Sequence, residues 1–141
     1  MGYRSRIVAA FYSQTPTDVK GDLELAKARN IATLDMFMRE NFPSDALGDI
    51  ERITTRNGRV VWQFTAEDVK WYESYPEVQK FEEFWGRFCA LANWEEGKGE
   101  DPVFWSCEFM RLGENDDDVE SRASTDAEWL LRLSRAIETD Y

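Results

Sequence analysis

The first candidate for chemistry is the acidic triplet Asp116, Asp117 and Asp118, which stands between Glu114 and Glu120. Clustered carboxylates can hold calcium, but a calcium loop needs ligands at alternating positions and a glycine at its turn. Here the carboxylates are consecutive and no glycine follows them. The pattern therefore favours either a solvated loop or an acidic surface that docks a basic partner, and we expect no metal.

The chain has no histidine and two cysteines, Cys89 and Cys107. The absence of histidine excludes Ser-His-Asp and Cys-His catalysis and His-based zinc or iron sites. Two thiols cannot complete a cysteine-rich zinc site, so both are expected to be buried free thiols. The segment 97–99, Gly-Lys-Gly, is too short for a phosphate-binding loop. We therefore expect a protein that is not an enzyme and holds no cofactor.

A second candidate site is the segment 65–75, where aromatic and charged residues stand side by side. Two roles fit the aromatic residues Trp71, Tyr72 and Tyr75. They either cover the edge of the core or form a surface rim that binds a partner. Trp and Tyr beside charged groups are typical of binding hot spots. We take these three residues, with the acidic triplet, as the partner-binding candidates.

The formal net charge of −11 is unevenly distributed. Residues 93–128 carry 3 basic and 12 acidic side chains, whereas residues 1–92 carry 12 basic and 14 acidic ones. Direct binding to nucleic acid is not expected, because it requires a basic surface. Arg4 and Arg6 are nevertheless candidates for binding an anion such as a phosphate or a nucleotide.

The length of 141 residues indicates a single domain, residues 1–141. No apolar run approaches the roughly 20 residues of a membrane span. The apolar run Ile7–Tyr12 is too short for a signal peptide and is typical of a strand covered on both faces. We therefore expect a cytoplasmic protein with no membrane contact.

The remaining patterns indicate secondary structure. Helices are predicted where apolar residues recur at helical spacing, and strands where they run continuously or alternate. The predicted elements are a strand over 5–13, a helix over 22–41, a hairpin over 50–64, a helix over 76–93 and a strand over 103–112. Residues 113–124 are predicted as an acidic loop or short helix.

Asn57-Gly58 predicts the hairpin turn, because both residues tolerate a positive φ. A two-residue loop would place Ile53 opposite Trp62. Ile53 would then lie on the core face together with Trp62 and Phe64. It would also gather three arginines near the turn. Those arginines are Arg52, Arg56 and Arg59.

Three short stretches stand out along the chain. The first is the start Met1–Ser5, the second is Asp68–Tyr72 with Tyr75–Val78, and the third is Arg111–Glu114 with Asp118–Glu120. Together they resemble a group of small, uncharacterised proteins of tailed bacteriophages and prophages. The resemblance implies a viral accessory protein acting in the host cytoplasm, and it transfers no functional residues.

Residues 129–138 fit either a helix or a strand. Local propensity favours a helix, since residues 125–128 could form a capping box. The resemblance implies instead a strand that pairs with 103–112, and we predict the strand. The predicted fold is α+β, with a mixed or antiparallel sheet of about five strands and two helices on one face, in the order β-α-β-β-α-β-β.

The predicted function is that of a non-enzymatic phage accessory protein that binds and modulates a host bacterial protein. Interference with host defence is one such role. The alternatives are a protein that binds or sequesters a small ligand such as a nucleotide, and an acidic mimic of nucleic acid. A homo-oligomeric structural role in the virion also stays open.

Overall fold

The computed structural model of the chain describes residues 4–17, 19–93, 103–114, 118–133 and 137–141. Within these ranges, two helices and seven strands follow one another. In chain order the elements are β1 (Ser5–Ser13), α1 (Leu23–Asn41), β2 (Asp49–Thr54), β3 (Val60–Val69), α2 (Pro76–Ala92), β4 (Trp105–Leu112), β5 (Val119–Ala123), β6 (Leu131–Leu133) and β7 (Ile137–Thr139).

Five strands form an antiparallel sheet in the order β2-β3-β1-β4-β5. β1 lies at the centre between β3 and β4, and its apolar run Ile7–Tyr12 is buried throughout. A continuous apolar run suits this position, because both faces of the strand are covered. The predicted α+β class and the five-stranded sheet are confirmed.

Both helices pack on one face of the sheet. α1 begins where the Asp22 carboxylate accepts hydrogen bonds from two backbone N–H groups of the first turn, at 2.9 and 3.3 Å. α2 begins at Pro76, whose fixed φ suits the first helical position. The core beneath them is aromatic: the ring of Phe11 lies 5.1 Å from that of Phe84 and 5.0 Å from that of Phe88.

The C-terminal part of the chain covers the other face of the sheet. β6 and β7 pair with each other, and Leu130, Leu131 and Ile137 are buried against the sheet. The fully buried carboxylate of Glu108 accepts hydrogen bonds from the backbone N–H groups of Leu130 and Leu131, both at 2.9 Å. A buried acid in β4 therefore anchors this covering segment.

The register of the β2–β3 hairpin differs by one residue from the prediction. Gly58 has a φ of +83°, the residue before it does not have a positive φ, and the Thr55 N–H donates to the carbonyl four residues later at 2.8 Å. The loop therefore has three residues rather than two, a common arrangement with a left-handed glycine at its end. Ile53 lies opposite Val61 instead of Trp62, and it packs on the face away from the helices.

The three hairpin arginines do not gather, contrary to the prediction. Arg52 forms an ion pair with Asp35 of α1 at 2.9 Å. Arg59 pairs with Glu128 at 2.6 Å, and Arg56 is exposed. The altered register accounts for the position of Arg52, because a shift of one residue turns the side chains of β2 to the opposite face of the sheet. β3 keeps its expected face, so Arg59 lies on the face away from the helices, beside Tyr12.

The fifth strand of the sheet is β5, not the C-terminal segment. Residues 119–123 were predicted as loop or short helix, and they pair with β4 from Glu108–Ala123 to Leu112–Val119. One strand was predicted over residues 129–138, whereas the structure has two short strands there, β6 and β7, which pair with each other rather than with β4. The edge of β4 was not free for them, because β1 occupies one side and β5 the other.

Candidate functional site

A groove of about 810 Å³ opens between α2, β5 and the residues 70–75, which we call the connector. Two aromatic rings, two guanidiniums and five carboxylates line it. The carboxylates are those of Glu73, Glu82, Glu83, Asp118 and Glu120. Acidic groups therefore predominate on its walls.

The connector supplies the aromatic wall of the groove. The ring of Trp71 packs against Phe81 and Phe109 of the core, at centroid distances of 5.3 and 6.2 Å. The ring of Tyr72 meets Tyr75 edge-on at 5.3 Å. Trp71 and Tyr72 are half-buried and line the groove. Packing on one side therefore fixes rings that remain accessible on the other.

The first guanidinium of the groove belongs to Arg111 on β4. It donates to both carboxylate oxygens of Asp118, at 2.8 and 3.2 Å, and to the Ser5 hydroxyl at 3.3 Å. Its Nε lies 3.5 Å from a carboxylate oxygen of Glu120. Arg111 thus forms a bidentate ion pair with Asp118, which fixes the orientation of the guanidinium.

The second guanidinium belongs to Arg122 on β5. It donates to the two oxygens of Glu82 at 2.7 and 2.8 Å, and its Nε lies 3.1 Å from Glu120. The guanidinium also lies 4.1 Å from the ring centroid of Phe109 and 5.1 Å from that of Trp85. Glu120 therefore bridges the two arginines, and both are neutralised locally.

The carboxylates of Glu73 and Glu83 are exposed, and no cation in the described part of the chain pairs with them. The groove thus keeps an excess of negative charge beside an aromatic wall. A cation placed there would gain ion pairs with the carboxylates and a cation–π contact with the rings. The groove is therefore suited to a guanidinium or an ammonium group.

A glycine allows the contact between Arg111 and Asp118. The Gly113 N–H donates to the Asp118 carbonyl at 2.7 Å, and a Cβ at residue 113 would lie 1.9 Å from the Asp118 Oδ2. The hydrogen bonds from Arg111 hold the pKa of the Asp118 carboxyl below its ordinary value, against a smaller opposing effect of burial. Asp118 is therefore ionised at neutral pH.

Three residues singled out from the sequence, Trp71, Tyr72 and Asp118, line this one groove. Tyr75 contacts Tyr72 beside it. The other two residues of the acidic triplet, Asp116 and Asp117, lie outside the described residues. Segments about 45 residues apart in the chain are thus brought together by the pairing of β1 with β3 and β4.

The two candidates for anion binding already have acidic partners. The Arg4 guanidinium donates to the Asp68 carbonyl at 2.9 Å and lies 3.6 Å from the carboxylate of the same residue. The Arg6 Nε lies 3.4 Å from a carboxylate oxygen of Glu67. An anion would have to compete with these carboxylates for either guanidinium.

Sequence reasoning missed the ionic chain formed by Glu82, Arg111, Glu120 and Arg122. The signal that could have found it is the isolation of two arginines in the most acidic part of the chain. Residues 93–128 contain 3 basic side chains, and these arginines are two of them. A partly buried arginine in such a segment needs several acidic neighbours.

A second polar cluster lies on the opposite face of the sheet, and we call it the Glu108 cluster. The Tyr12 hydroxyl donates to Glu108 and accepts from the Glu128 N–H at 2.8 Å. The Arg59 guanidinium lies 5.3 Å from the Tyr12 ring centroid. Burial and the bond to Glu108 raise the pKa of the Tyr12 hydroxyl far above its ordinary value. This cluster is closed and holds the C-terminal segment in place.

No protein-family model, curated protein or solved structure matches the chain. Among the described residues, neither helix is both long and apolar enough to cross a membrane. The same part of the chain contains no group of three or more His, Cys, Asp or Glu side chains placed to hold a metal ion.

Proposed function

We propose that this protein is a non-enzymatic accessory protein that binds a partner protein through the groove, and that a basic side chain of the partner enters it. The observation that carries the proposal is the combination of an accessible aromatic wall, Trp71 and Tyr72, with the exposed carboxylates of Glu73 and Glu83. Arginine beside aromatic rings and carboxylates is a common hot-spot arrangement.

The charge balance favours a cation over an anion in the groove. Asp118 and Glu82 each hold one of the two guanidiniums through two hydrogen bonds, and Glu120 lies near both. An anion would have to displace these carboxylates and would face Glu73 and Glu83. A cation meets the exposed carboxylates of Glu73 and Glu83 without breaking an ion pair in the described part of the chain.

The bacteriophage resemblance supports a role in a bacterial host. Its three parts meet at the groove: Ser5 from the first, Trp71 and Tyr72 from the second, and Arg111 and Asp118 from the third all line it. We propose that the partner is a host bacterial protein in the cytoplasm, which this protein modulates, and a host defence protein is one such partner.

Affinity capture from bacterial lysate tests this function. The wild-type chain is expected to retain a specific host protein, and the double variant E73K/E83K is expected to lose it, because two carboxylates become cations. The matched control is E40K/E51K, which makes the same change of charge at exposed residues that do not line the groove. Equal capture by all three proteins would contradict the proposal.

A narrower proposal applies if the captured protein binds DNA. Acidic side chains of this protein would then imitate phosphates and occupy the DNA-binding surface of the partner. Competition between this protein and DNA for the partner is expected in that case. Unchanged DNA binding at saturating protein would refute mimicry while leaving the groove proposal intact.

A second candidate function is the binding of a nucleotide, because the groove contains the arginine and aromatic groups that such a ligand needs. Phosphates would have to displace Asp118 from Arg111 and Glu82 from Arg122, and Trp71 or Tyr72 would stack on the base. A thermal-shift series with ribonucleotides tests this candidate. A rise in Tm that depends on nucleotide concentration and is lost in Y72A would support it over the partner-binding function.

A further inference from the structure

Two thiols meet where α2 packs on the sheet. The Sγ of Cys89 lies 3.4 Å from the Sγ of Cys107 on β4, and both cysteines are free. Cys107 is completely buried, whereas Cys89 is half-buried. The two sulfur atoms are therefore in contact, and Cys89 is the more exposed residue of the pair.

The surroundings of the two thiols differ. The hydrogen bond between the two thiols and the nearby positive charge of Arg122 lower the pKa of the Cys89 thiol, although burial opposes them. The same hydrogen bond, together with burial, raises the pKa of the Cys107 thiol. A thiolate is the form that attacks a disulfide, so Cys89 is the better nucleophile of the pair.

We propose that Cys89 and Cys107 form a reversible thiol–disulfide pair that responds to low-molecular-weight disulfides. In a reducing cytoplasm both thiols stay free. When the pool of small disulfides rises, the pair closes and links α2 to β4 covalently.

The exchange takes place in two steps. The Cys89 thiolate attacks one sulfur of the small disulfide, forms a mixed disulfide and expels the other half as a thiolate. The Cys107 thiol gives its proton to the expelled thiolate, and its sulfur then attacks the Cys89 Sγ. The second half of the reagent leaves as a thiolate and takes a proton from water. The two cysteines lose two electrons, and the reagent gains them.

The bond would restrain the unfolded chain, because it closes the loop between residues 89 and 107. The disulfide form is therefore expected to melt roughly 5–10 °C above the dithiol form. The link lies close to Arg122, which also holds Glu82 at the groove. Formation of the disulfide therefore fixes α2, whose acidic residues form part of the groove wall.

The experiment incubates the full chain with glutathione disulfide, quenches with acid and measures intact mass. The wild type is expected to lose about 2 Da, the mass of two hydrogen atoms, and to regain it with dithiothreitol. Peptide mapping should place the bond between Cys89 and Cys107. Thiols that remain open to alkylation after denaturation, or bonds between separate chains, would overturn the proposal.

Two single variants test the order of attack. C107S should accumulate a stable mixed disulfide at Cys89, since no second thiol remains to resolve it. C89S should react at least tenfold more slowly, because Cys107 is buried. Equal rates for the two variants would overturn the assignment of Cys89 as the attacking thiol. The wild-type mass measurement stands even if a variant fails to fold.

Discussion

The groove and the Glu108 cluster are built from the same kinds of side chain, on opposite faces of one sheet. In the Glu108 cluster, the carboxylate is completely buried and accepts hydrogen bonds from Tyr12 and from the Leu130 and Leu131 backbones. In the groove, carboxylates such as Glu83 remain exposed beside a ring that solvent can reach. The difference shows that burial and complete pairing, rather than residue type, separate a structural cluster from a surface able to accept a ligand.

The cost of an unpaired polar group explains this difference. A buried donor or acceptor without a partner loses its hydration and gains no hydrogen bond in return. Every polar group of a buried cluster must therefore be hydrogen-bonded. An exposed carboxylate keeps its water until a ligand displaces it. Substitutions in the Glu108 cluster should therefore act on stability, and those at the groove rim should act on binding.

The largest expected effect is that of E108A. The substitution leaves the Tyr12 hydroxyl and two backbone N–H groups buried without their acceptor. The free energy of unfolding should fall by about 3–5 kcal/mol. Urea denaturation measures it, and the matched control E83A at the groove should change it by less than about 0.5 kcal/mol. Similar losses of unfolding free energy in E108A and E83A would contradict the difference between the Glu108 cluster and the groove.

G113A should have the next largest effect, about 1–3 kcal/mol. The added Cβ would collide with the Asp118 carboxylate and push it away from Arg111. Thermal and urea denaturation measure the loss. The control is G86A in α2, where a Cβ meets no atom within 4 Å. That substitution should be neutral or stabilising by about 0.5–1 kcal/mol, so an equal loss in both would argue against the predicted collision.

D118N should cost no more than about 1 kcal/mol at pH 7, because the ion pair with Arg111 is partly open to solvent. The pKa of Asp118 is lower in the folded than in the unfolded chain. Its contribution is therefore complete above the ordinary carboxyl pKa of about 3.9 and disappears as the pH falls through the lower folded value.

Urea denaturation of wild type and D118N between pH 7 and pH 3 checks this dependence. The difference in free energy between the two proteins should shrink toward the acidic end. D49N, at an exposed residue that forms no ion pair in the described part of the chain, should stay within about 0.5 kcal/mol of the wild type throughout. A D118N difference that grows on acidification would have the wrong sign.

Y72A should have the smallest effect on stability, about 0.5 kcal/mol, because the ring is half-exposed. It should still weaken capture of the partner protein at least tenfold, since it removes part of the aromatic wall. W129A provides the control, as Trp129 is 53% exposed and does not line the groove. Loss of capture in W129A but not in Y72A would place the interface elsewhere.

The elements with strong local signals were predicted from the sequence. β1 follows from its continuous apolar run, α1 from the Asp22 cap and α2 from Pro76 and its apolar stripe. β5 was missed because Val119–Ala123 contains mostly polar residues and shows no strand-like alternation. Its strand character comes from pairing with β4, which no local pattern reports.

The candidate site was predicted in part. The sequence marked Trp71, Tyr72 and Asp118, because aromatic rings beside charge and runs of acid are visible locally. It did not mark Arg122, whose partners Glu82 and Glu120 lie on an adjacent helix and on its own strand. An ion pair across elements depends on packing, so composition cannot show it.

The sequence by itself determined which chemistries are excluded, since the chain has no histidine, and which segments form the central strand and the two helices. The tertiary structure decided the hairpin register, the partner of each arginine and the meeting of Cys89 with Cys107. The physical reason is the range of the interactions. Propensity, capping and burial periodicity act within a few residues, whereas the groove joins segments as far apart as Ser5 and Arg122.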